Sequence, residues 1–423
     1  MQDKLTPLIT DDTLVMGLIA ACLGFVFFTQ HGKHPFWKKF YGIVPPVLMC
    51  YLLPALLRSA GVISDTTSGL YHITSQYLLP AALVLMTLSM DLKAIIQLGP
   101  KALIMFLTGS LGIVLGGPIA LLVVSWIDPS LTQGVGFDAL WRGLSTIAGS
   151  WIGGGANQAA MFEVFQYNPE KYGGMVLVDI VVANIWLAVL LLGVGRKDQI
   201  NRWLKADNSS IIALQEKVGK FTQSITRAPS LHDYMALLAI SFVSVGIGHA
   251  LGGWLSQWAL SFEVVAQSTG FLSFLSSSFF WMVVVVTLLG MLYSTTSLKN
   301  YEGAGASKIG SVFVYLLVAS IGMKMDLGAA LEQPGLIAIG VVWMVVHAGL
   351  MIGVAKWIKA PYFFLAVGSQ ANVGGAASAP IIAAEFHPAL SSVGVILAVF
   401  GYAVGTAGAL ICAYLMEIAT TLT

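Results

Sequence analysis

The sequence predicts an all-α protein that crosses a membrane many times. Of its 423 residues 57% are hydrophobic and only 10% are charged, whereas roughly a quarter of the residues in soluble domains are charged. Apolar runs of about 20 residues, enough for a helix to span a hydrocarbon core of ~30 Å, recur along the whole chain. Two glycine-rich segments interrupt this pattern at corresponding places in two halves. We therefore predict two repeats, each with five transmembrane helices and one broken, glycine-rich hairpin.

The first half, residues 1–195, contains five plain apolar runs that we interpret as transmembrane helices. The first glycine-rich segment lies between the fourth and fifth runs and is predicted to form a hairpin over about residues 138–162. The predicted spans are Thr13–Phe28, Tyr41–Ile63, Leu70–Met90, Ala102–Val124 and Gly174–Gly195.

The second half repeats this order after a polar linker over residues 196–232, which contains a helical amphipathic stretch around Ile211–Phe221. Residues 233–423 form the second predicted repeat, with a hairpin over about residues 361–386. Its predicted spans are Asp233–Trp258, Leu272–Leu292, Ile309–Gly322, Gly335–Val354 and Ser391–Met416.

Two sequence matches in the same order support the internal repeat. Leu83–Leu92 (LVLMTLSMDL) matches Val318–Leu327 (VASIGMKMDL), and further on Gly154-Gly155-Ala156-Asn157 matches Gly374-Gly375-Ala376-Ala377. Asp91 and Asp326, the ninth residue of each copy in the first match, fall where predicted spans end. We therefore interpret them as helix caps rather than ligands.

The distribution of positive charge favours hairpins over twelve full crossings. Cytoplasmic loops of membrane proteins are enriched in Lys and Arg. With hairpins and an outside N-terminus, the repeats are inverted and the linker is cytoplasmic. Among the 21 Lys and Arg residues, this arrangement leaves five outside, which are Lys4, Arg58, Arg142, Lys171 and Lys324.

The two hairpins carry the predicted solute-binding residues. Broken helices expose backbone carbonyls and amides, and a pair of them at equivalent places in two halves is typical of a transporter binding site. The alternative is tight packing of small residues with amides as caps, but packing does not explain Asn and Gln in both copies. The predicted set is Ser150, Gly154, Gly155, Asn157, Gln158, Ser369, Gln370, Asn372, Gly374, Gly375 and Ser378.

A coupling cation is predicted near Asp179, the acidic residue most clearly inside a span. An ionisable group there is costly and therefore indicates function, although an interfacial Asp at the start of a helix is the alternative. The predicted sodium ligands are Asp179, Asn184, Asn157 and Thr406. These oxygen donors suit a hard monovalent cation, and no His and Cys cluster suggests a transition metal.

Other residues have a structural alternative or exclude other functions. His347 could be a buried histidine bonded to the backbone or a proton-linked group, and Arg142 could pair with Asp138 or contact a solute. The sequence contains no nucleophile with its base, so we expect no enzyme and no cofactor, and a net charge of +1 gives no sign of a nucleic-acid partner.

The segments GGGANQAA and GSQANVGGAASAP, with the ending Leu390–Met416, resemble the membrane-protein family catalogued as domain of unknown function 819. That family is placed with the cation:proton antiporters and anion transporters, and the hairpins are similar to those of sodium-coupled citrate and glutamate carriers. The resemblance implies an inverted-repeat, elevator-type transporter in which a core domain slides against a dimerising scaffold. Unlike citrate carriers, this chain has no arginine inside its second core to bind a carboxylate.

We therefore expect a secondary active transporter in the inner (cytoplasmic) membrane, acting as a homodimer by alternating access. Sodium-coupled symport of a small polar organic solute, similar to an amino acid, a dipeptide or a carboxylate, is the first hypothesis. The alternative is a cation:proton antiporter, in which Asp179 exchanges sodium for protons. The sequence leaves the solute and the choice between sodium and proton open.

Overall fold

The computed structural model describes residues 7–41, 44, 46–63, 68–88, 95–96, 98–132, 134–207, 228–267, 271–324, 335–387 and 390–422. Within these ranges all regular structure is helical, which confirms the predicted fold class. Asp91, Asp326 and the amphipathic linker stretch Ile211–Phe221 lie outside the described residues.

Seventeen α-helices are described, and we number them in chain order. They are α1 (Asp12–Gln30), α2 (Pro35–Tyr41), α3 (Pro46–Ser59), α4 (Leu70–Ile73), α5 (Leu79–Leu88), α6 (Pro100–Ile127), α7 (Leu140–Phe165), α8 (Tyr172–Val194), α9 (Lys197–Leu204), α10 (Leu231–Leu260), α11 (Glu263–Ala266), α12 (Ser278–Ser294), α13 (Ala306–Gly322), α14 (Gly335–Trp357), α15 (Tyr362–Val373), α16 (Gly375–Phe386) and α17 (Ser391–Thr421).

Six of the described helices are long and apolar enough to cross a membrane, and up to eight spans result if each of two bent pairs counts as one. The six are α1, α6, α8, α10, α14 and α17. The described helix within the predicted span Tyr41–Ile63 is the 14-residue α3, and α2, which ends at Tyr41, lies at 95° to it. Proline explains why α3 begins at Pro46, because proline lacks an N–H group and fits the first turn of a helix. The predicted span Ile309–Gly322 is the 17-residue α13, about 26 Å long.

The predicted span Leu70–Met90 is interrupted by a π-helical turn over Thr74–Leu78. Pro80 follows this turn and has no N–H group to donate to the carbonyl oxygen of Gln76. The ring Nε2 of His249 on α10 lies 2.9 Å from that oxygen and donates to it instead. A histidine of the second half thus satisfies a backbone group that a proline of the first half leaves free.

The first glycine-rich segment is a hairpin of two helical arms within α7. Its backbone breaks at Gly154, and the guanidinium Nη1 of Arg142 donates to the carbonyl of Phe165 over 2.7 Å. These two residues are 23 positions apart, which in a straight helix would separate them by ~35 Å. Asn168 N also donates to Phe137 O, so both ends of the hairpin lie side by side.

The second glycine-rich segment has the same folded-back form, with α15 and α16 as its arms. The rings of Tyr362 and Phe386, at opposite ends of the segment, have centroids 5.8 Å apart. Nearer the tip, Gln370 Nε2 donates to Ser378 Oγ over 2.7 Å. Both arms therefore run back to the same side.

The helices pack in two groups, which we call the core group and the outer group. The core group contains both hairpins with α6, α8, α14 and α17, and α6 packs closely on α14 through Gly112 and Gly116, which face His347 and Trp343. The outer group contains α1 to α5, α10, α12 and α13. Packing within each group is far more extensive than packing between the groups.

We predict that cysteines replacing Phe137 and Asn168 form a disulfide bond in a variant whose native Cys22, Cys50 and Cys412 are replaced by Ala. The backbone hydrogen bond between these positions (3.0 Å) brings their Cα atoms within the range that a disulfide needs. Mass spectrometry of a mild oxidation product is the measurement. Free thiols at both positions in folded protein would contradict the hairpin, and a pair at residues 137 and 150 is the negative control.

Candidate functional site

The tips of the two hairpins meet at glycine residues with positive φ. Gly154 has φ 76° and ψ −173°, a conformation that is accessible essentially to glycine alone. Gly375 has φ 57°, and a Cβ atom added to it would lie 4.0 Å from the Cα of Gly154. The two helix breaks therefore contact each other through backbone atoms, without side chains between them.

A cavity of about 670 Å³ lies beside this contact, between the core group and the outer group. Its volume is in the range of small-molecule binding sites. The core group contributes polar residues from both hairpins and α8, and the outer group contributes mainly aromatic and aliphatic residues from α1, α3 and α13. Predicted residues that line the cavity are Ser150, Gly154, Gly155, Gln158, Asp179, Asn184, Gln370, Gly374, Gly375 and Ser378.

Asp179 lies on the cavity wall, and its buried carboxylate accepts three hydrogen bonds from the first hairpin. Ser150 Oγ (2.7 Å) and Gln158 Nε2 (2.9 Å) donate to Oδ2, and Trp151 Nε1 (2.6 Å) donates to Oδ1. Because an indole N–H and an amide NH₂ can only donate, this arrangement suits an ionised carboxylate. It also fixes α8 to both arms of the hairpin, close to its tip.

The second hairpin has a polar pair with the same spacing, but here the two side chains bond to each other. Gln370 and Ser378 lie eight positions apart, as do Ser150 and Gln158 in the first hairpin. Here the glutamine donates directly to the serine, and its Oε1 atom is buried without a hydrogen-bond partner among the described residues. Gln370 lines the cavity, and its unpaired acceptor lies buried just behind the wall formed by the second hairpin.

Two predicted solute residues, Asn157 and Asn372, do not line the cavity and instead fasten the hairpins to neighbouring helices. Asn157 Nδ2 donates to Thr406 Oγ1 (2.9 Å) and to the carbonyl of Tyr402 (3.3 Å) on α17. Asn372 Nδ2 donates to the carbonyl of Phe106 on α6 over 2.9 Å, and its Oδ1 accepts from Ser110. Both asparagines therefore hold the hairpins to neighbouring helices, rather than capping the hairpin ends.

Ser369 and His347 belong to a buried chain of hydrogen bonds behind the second hairpin. His347 Nδ1 lies 3.0 Å from the carbonyl of Gly109, and its Nε2 lies 2.7 Å from Ser369 Oγ. Trp186 Nε1 donates to the same hydroxyl over 2.8 Å. Every group is satisfied if a neutral His347 carries its proton on Nδ1 and Ser369 donates to Nε2. These contacts support the structural interpretation of His347.

The four predicted sodium ligands do not lie together. Asp179 and Asn184 line the cavity, and the amide of Asn184 donates to the carbonyl of Ile180 over 2.7 Å. Asn157 and Thr406 bond to each other behind the hairpin, and neither lines the cavity. A cation beside Asp179 would therefore take its other ligands from residues such as Ser150 or Gln158. Among the described residues no three His, Cys, Asp or Glu side chains form a metal cluster.

Sequence reasoning missed Trp151 and the tyrosines of the cavity. Trp151 directly follows Ser150, but no periodic pattern shows that its indole points at a carboxylate. Tyr51, Tyr315 and Tyr402 line the cavity, and each lies within a plain apolar run, where an aromatic residue is usual.

Arg142 and Asp138 do not form the ion pair considered from the sequence. Lys171 Nζ lies 2.8 Å from the carboxylate of Asp138, and Asn168 Nδ2 donates to it. These two hydrogen bonds hold the pKa of Asp138 below its ordinary value. Arg142 instead binds the carbonyl of Phe165 and lies over the ring of Trp141. It does not line the cavity, so it closes the open end of the hairpin and does not contact a solute there.

Comparison with known proteins places the chain in a family. Residues 17–418 match the family described as "Protein of unknown function (DUF819)". The chain is also 23% identical over 344 residues to an "Uncharacterized membrane protein YjcL" of Bacillus subtilis (strain 168), covering 78% of this chain and 81% of that protein. Because the family match covers nearly the whole chain and six described helices could cross a membrane, this protein is a multi-pass membrane protein of the DUF819 family.

Proposed function

We propose that this protein is a secondary active transporter that binds a small polar organic solute in the cavity beside the hairpin tips. The observation that carries the proposal is the position of this cavity, which lies between two separately packed groups of helices and is lined by two broken helices and a buried carboxylate. Broken helices that meet at membrane depth are tolerated where they are buried or line a cavity, and they are typical of transporter sites.

Inverted repeats and an elevator-type movement are part of this proposal. Each hairpin enters and returns on one side, so five spans separate equivalent points of the two halves, and an odd number of crossings inverts the second copy. The limited packing between the core group and the outer group supports movement of one against the other. The homodimer and the inner-membrane location implied by the family resemblance remain predictions.

The structure corresponds, within this proposal, to an inward-open state. The cavity extends to Gln30, His31 and Tyr41, at the end of α1 and on α2. The loop and helix beside them carry Lys33, Lys38 and Lys39, which the positive-inside rule assigns to the cytoplasm.

Sodium is the proposed coupling ion, with Asp179 as its charged ligand, and proton exchange is the alternative. The carboxylate supports either ion, because it is negative, buried and reached from the cavity. Uptake of radiolabelled solutes by proteoliposomes, with and without an imposed sodium or proton gradient, tests the proposal. Thermal-shift screening identifies candidate solutes first, since a ligand that binds only the folded state raises its melting temperature. Absence of gradient-driven uptake for every stabilising solute would contradict it.

We predict that Lys171 and both termini face outside, whereas the linker over residues 196–232 faces the cytoplasm. Single cysteines at Lys171 and Asp207, introduced into a chain without native cysteines, should react oppositely with a membrane-impermeant maleimide on intact cells. Labelling of Asp207→Cys from outside would instead make the repeats parallel. Permeabilised cells, in which both positions should react, are the control.

We predict that Gly154→Ala and Gly375→Ala each abolish transport. At Gly154 the backbone region costs a non-glycine residue ~1–3 kcal/mol, and the new methyl group would lie 3.3 Å from the ring of Tyr402. At Gly375 the positive φ (57°) disfavours alanine, and the methyl group would contact the tip of the first hairpin. Uptake is measured together with the amount of protein in the membrane.

Gly195→Ala is the matched control for these variants. A Cβ atom at Gly195, which does not line the cavity, would lie 3.6 Å from a carbonyl of its own helix. This control should retain uptake. Normal uptake by the two motif variants would show that the tips need no glycine, and the binding site would have to be sought elsewhere.

We predict that Asp179→Asn weakens sodium binding by ~1–3 kcal/mol, the range for loss of a charged partner. Folding should be largely spared, because Ser150 can turn its hydroxyl and Gln158 can turn its amide to satisfy the new side chain. The sodium dependence of the melting temperature is the measurement, with potassium as the reference salt. Equal stabilisation of variant and wild type by sodium would assign Asp179 a purely structural role.

A further inference from the structure

We propose that the solute is an organic cation, carrying an ammonium or guanidinium group, and that it exchanges with the coupling cation at Asp179. This inference rests on the proposed transport function and specifies its substrate class and its mode of coupling. Three independent features of the cavity carry it, namely the charges of its wall, the position of its aromatic rings and the unpartnered amide oxygen of Gln370.

The charge of the cavity wall is negative. Asp179 is the one Asp or Glu among the described residues that line the cavity, and no Lys or Arg is among them. The one histidine among the described lining residues is His31, at the exposed end of α1, where its ring Nδ1 lies 2.9 Å from the carbonyl of Phe27. An anionic solute would therefore enter a cavity that repels it, whereas a cation would be attracted.

The aromatic rings of the cavity lie mainly on the outer group, whereas the carboxylate lies on the core group. Tyr51 on α3, Tyr315 on α13 and Phe27 on α1 belong to the outer group, whereas Asp179 lies on α8 of the core group. The rings of Phe27 and Tyr315 pack edge to face with centroids 4.8 Å apart. A cation over an aromatic ring is attracted by the ring's negative face, and more strongly when water is excluded. Rings of the outer group together with a carboxylate of the core group form a setting for an organic cation.

The second hairpin holds an unpaired hydrogen-bond acceptor beside the cavity, and a turn of the Gln370 side chain would present it to the N–H groups of such a cation. Gln370 is 1% exposed, its Nε2 is engaged with Ser378, and its Oε1 has no partner among the described residues. A buried unpaired amide oxygen costs free energy, and a donor on the solute would remove that cost. A carboxylate solute, which only accepts hydrogen bonds, could not use this atom.

The single carboxylate also determines the coupling. A cationic solute and a sodium ion or proton would both neutralise Asp179, so they bind in turn rather than together. Movement of the core group would then carry either one organic cation or one coupling ion per passage. The consequence is exchange of the organic cation for sodium or a proton, rather than symport of the two.

A panel of matched probes tests the charge of the solute. Each small cation in the panel, including choline, putrescine and agmatine, is compared with an uncharged and an anionic compound of similar shape. For choline these are 3,3-dimethylbutan-1-ol and the 3,3-dimethylbutanoate anion. Thermal shifts of purified wild-type protein should occur with at least one cation and not with its two counterparts. Binding restricted to uncharged or anionic probes, or stabilisation by no cation of the panel, overturns the proposal.

Variants then test the position of the bound cation. Asp179→Asn should weaken binding of the stabilising cation about tenfold or more, whereas Glu263→Gln, which removes a carboxylate remote from the cavity, should leave it unchanged. Tyr315→Leu should weaken it severalfold and Tyr315→Phe should not, because the ring is retained. Sodium should raise the apparent Kd of the cation in wild type. Binding that is insensitive to both Asp179→Asn and sodium overturns the proposal.

Transport measurements separate failure of this inference from failure of the proposed function. Loading proteoliposomes with the unlabelled cation should accelerate uptake of the labelled cation. An outwardly directed sodium or proton gradient should drive the same uptake when no unlabelled cation is inside. Gradient-driven uptake of an anion would overturn the inference while leaving the transporter function intact. Absence of transport for every probe that binds would contradict the transporter function itself.

Discussion

Backbone groups at membrane depth must find hydrogen-bond partners. The helix breaks at Gly154 and Gly375 leave some of these groups without a partner in their own helix, and the rest of the fold accommodates them. A break of this kind cannot face lipid, so each hairpin is enclosed by helices of the core group. The amides of Asn157 and Asn372 bind backbone carbonyls on α17 and α6. The small residues of α6 allow α14 to approach it closely behind the second hairpin. Tight packing and polar anchoring are thus both consequences of the interrupted helices.

The cavity combines two walls with different chemistry, and this difference follows the division of the helices. Polar atoms with fixed partners, such as the Asp179 carboxylate and its three donors, belong to the core group. The facing wall consists mainly of rings and aliphatic side chains, which make no directional demand on what they contact. A solute could therefore be held specifically by one group of helices while the other presents a surface along which contacts can change.

The helical fold class and the positions of both helix breaks could be predicted from the sequence, because hydropathy over ~20 residues and consecutive glycines are local signals. Local signals also indicated Asp179, an acid in an apolar run. The partners of these residues could not be predicted, since Trp151 and Gln158 reach Asp179 only when the hairpin packs on α8. For the same reason the sequence did not show that Asn157 and Thr406 bond to each other, away from the cavity that Asp179 lines. Span lengths failed near prolines, since a π-helical turn precedes Pro80 in one span and another begins only at Pro46, after a 95° bend.

The direct contact between Gly154 and Gly375 has a mechanical consequence. A Cβ position only 4.0 Å from a neighbouring Cα leaves no layer of side chains that could slide or rotate to let one tip withdraw from the other. Withdrawal of one tip from the other would therefore break a direct backbone contact and leave a gap that no neighbouring side chain at this point could fill.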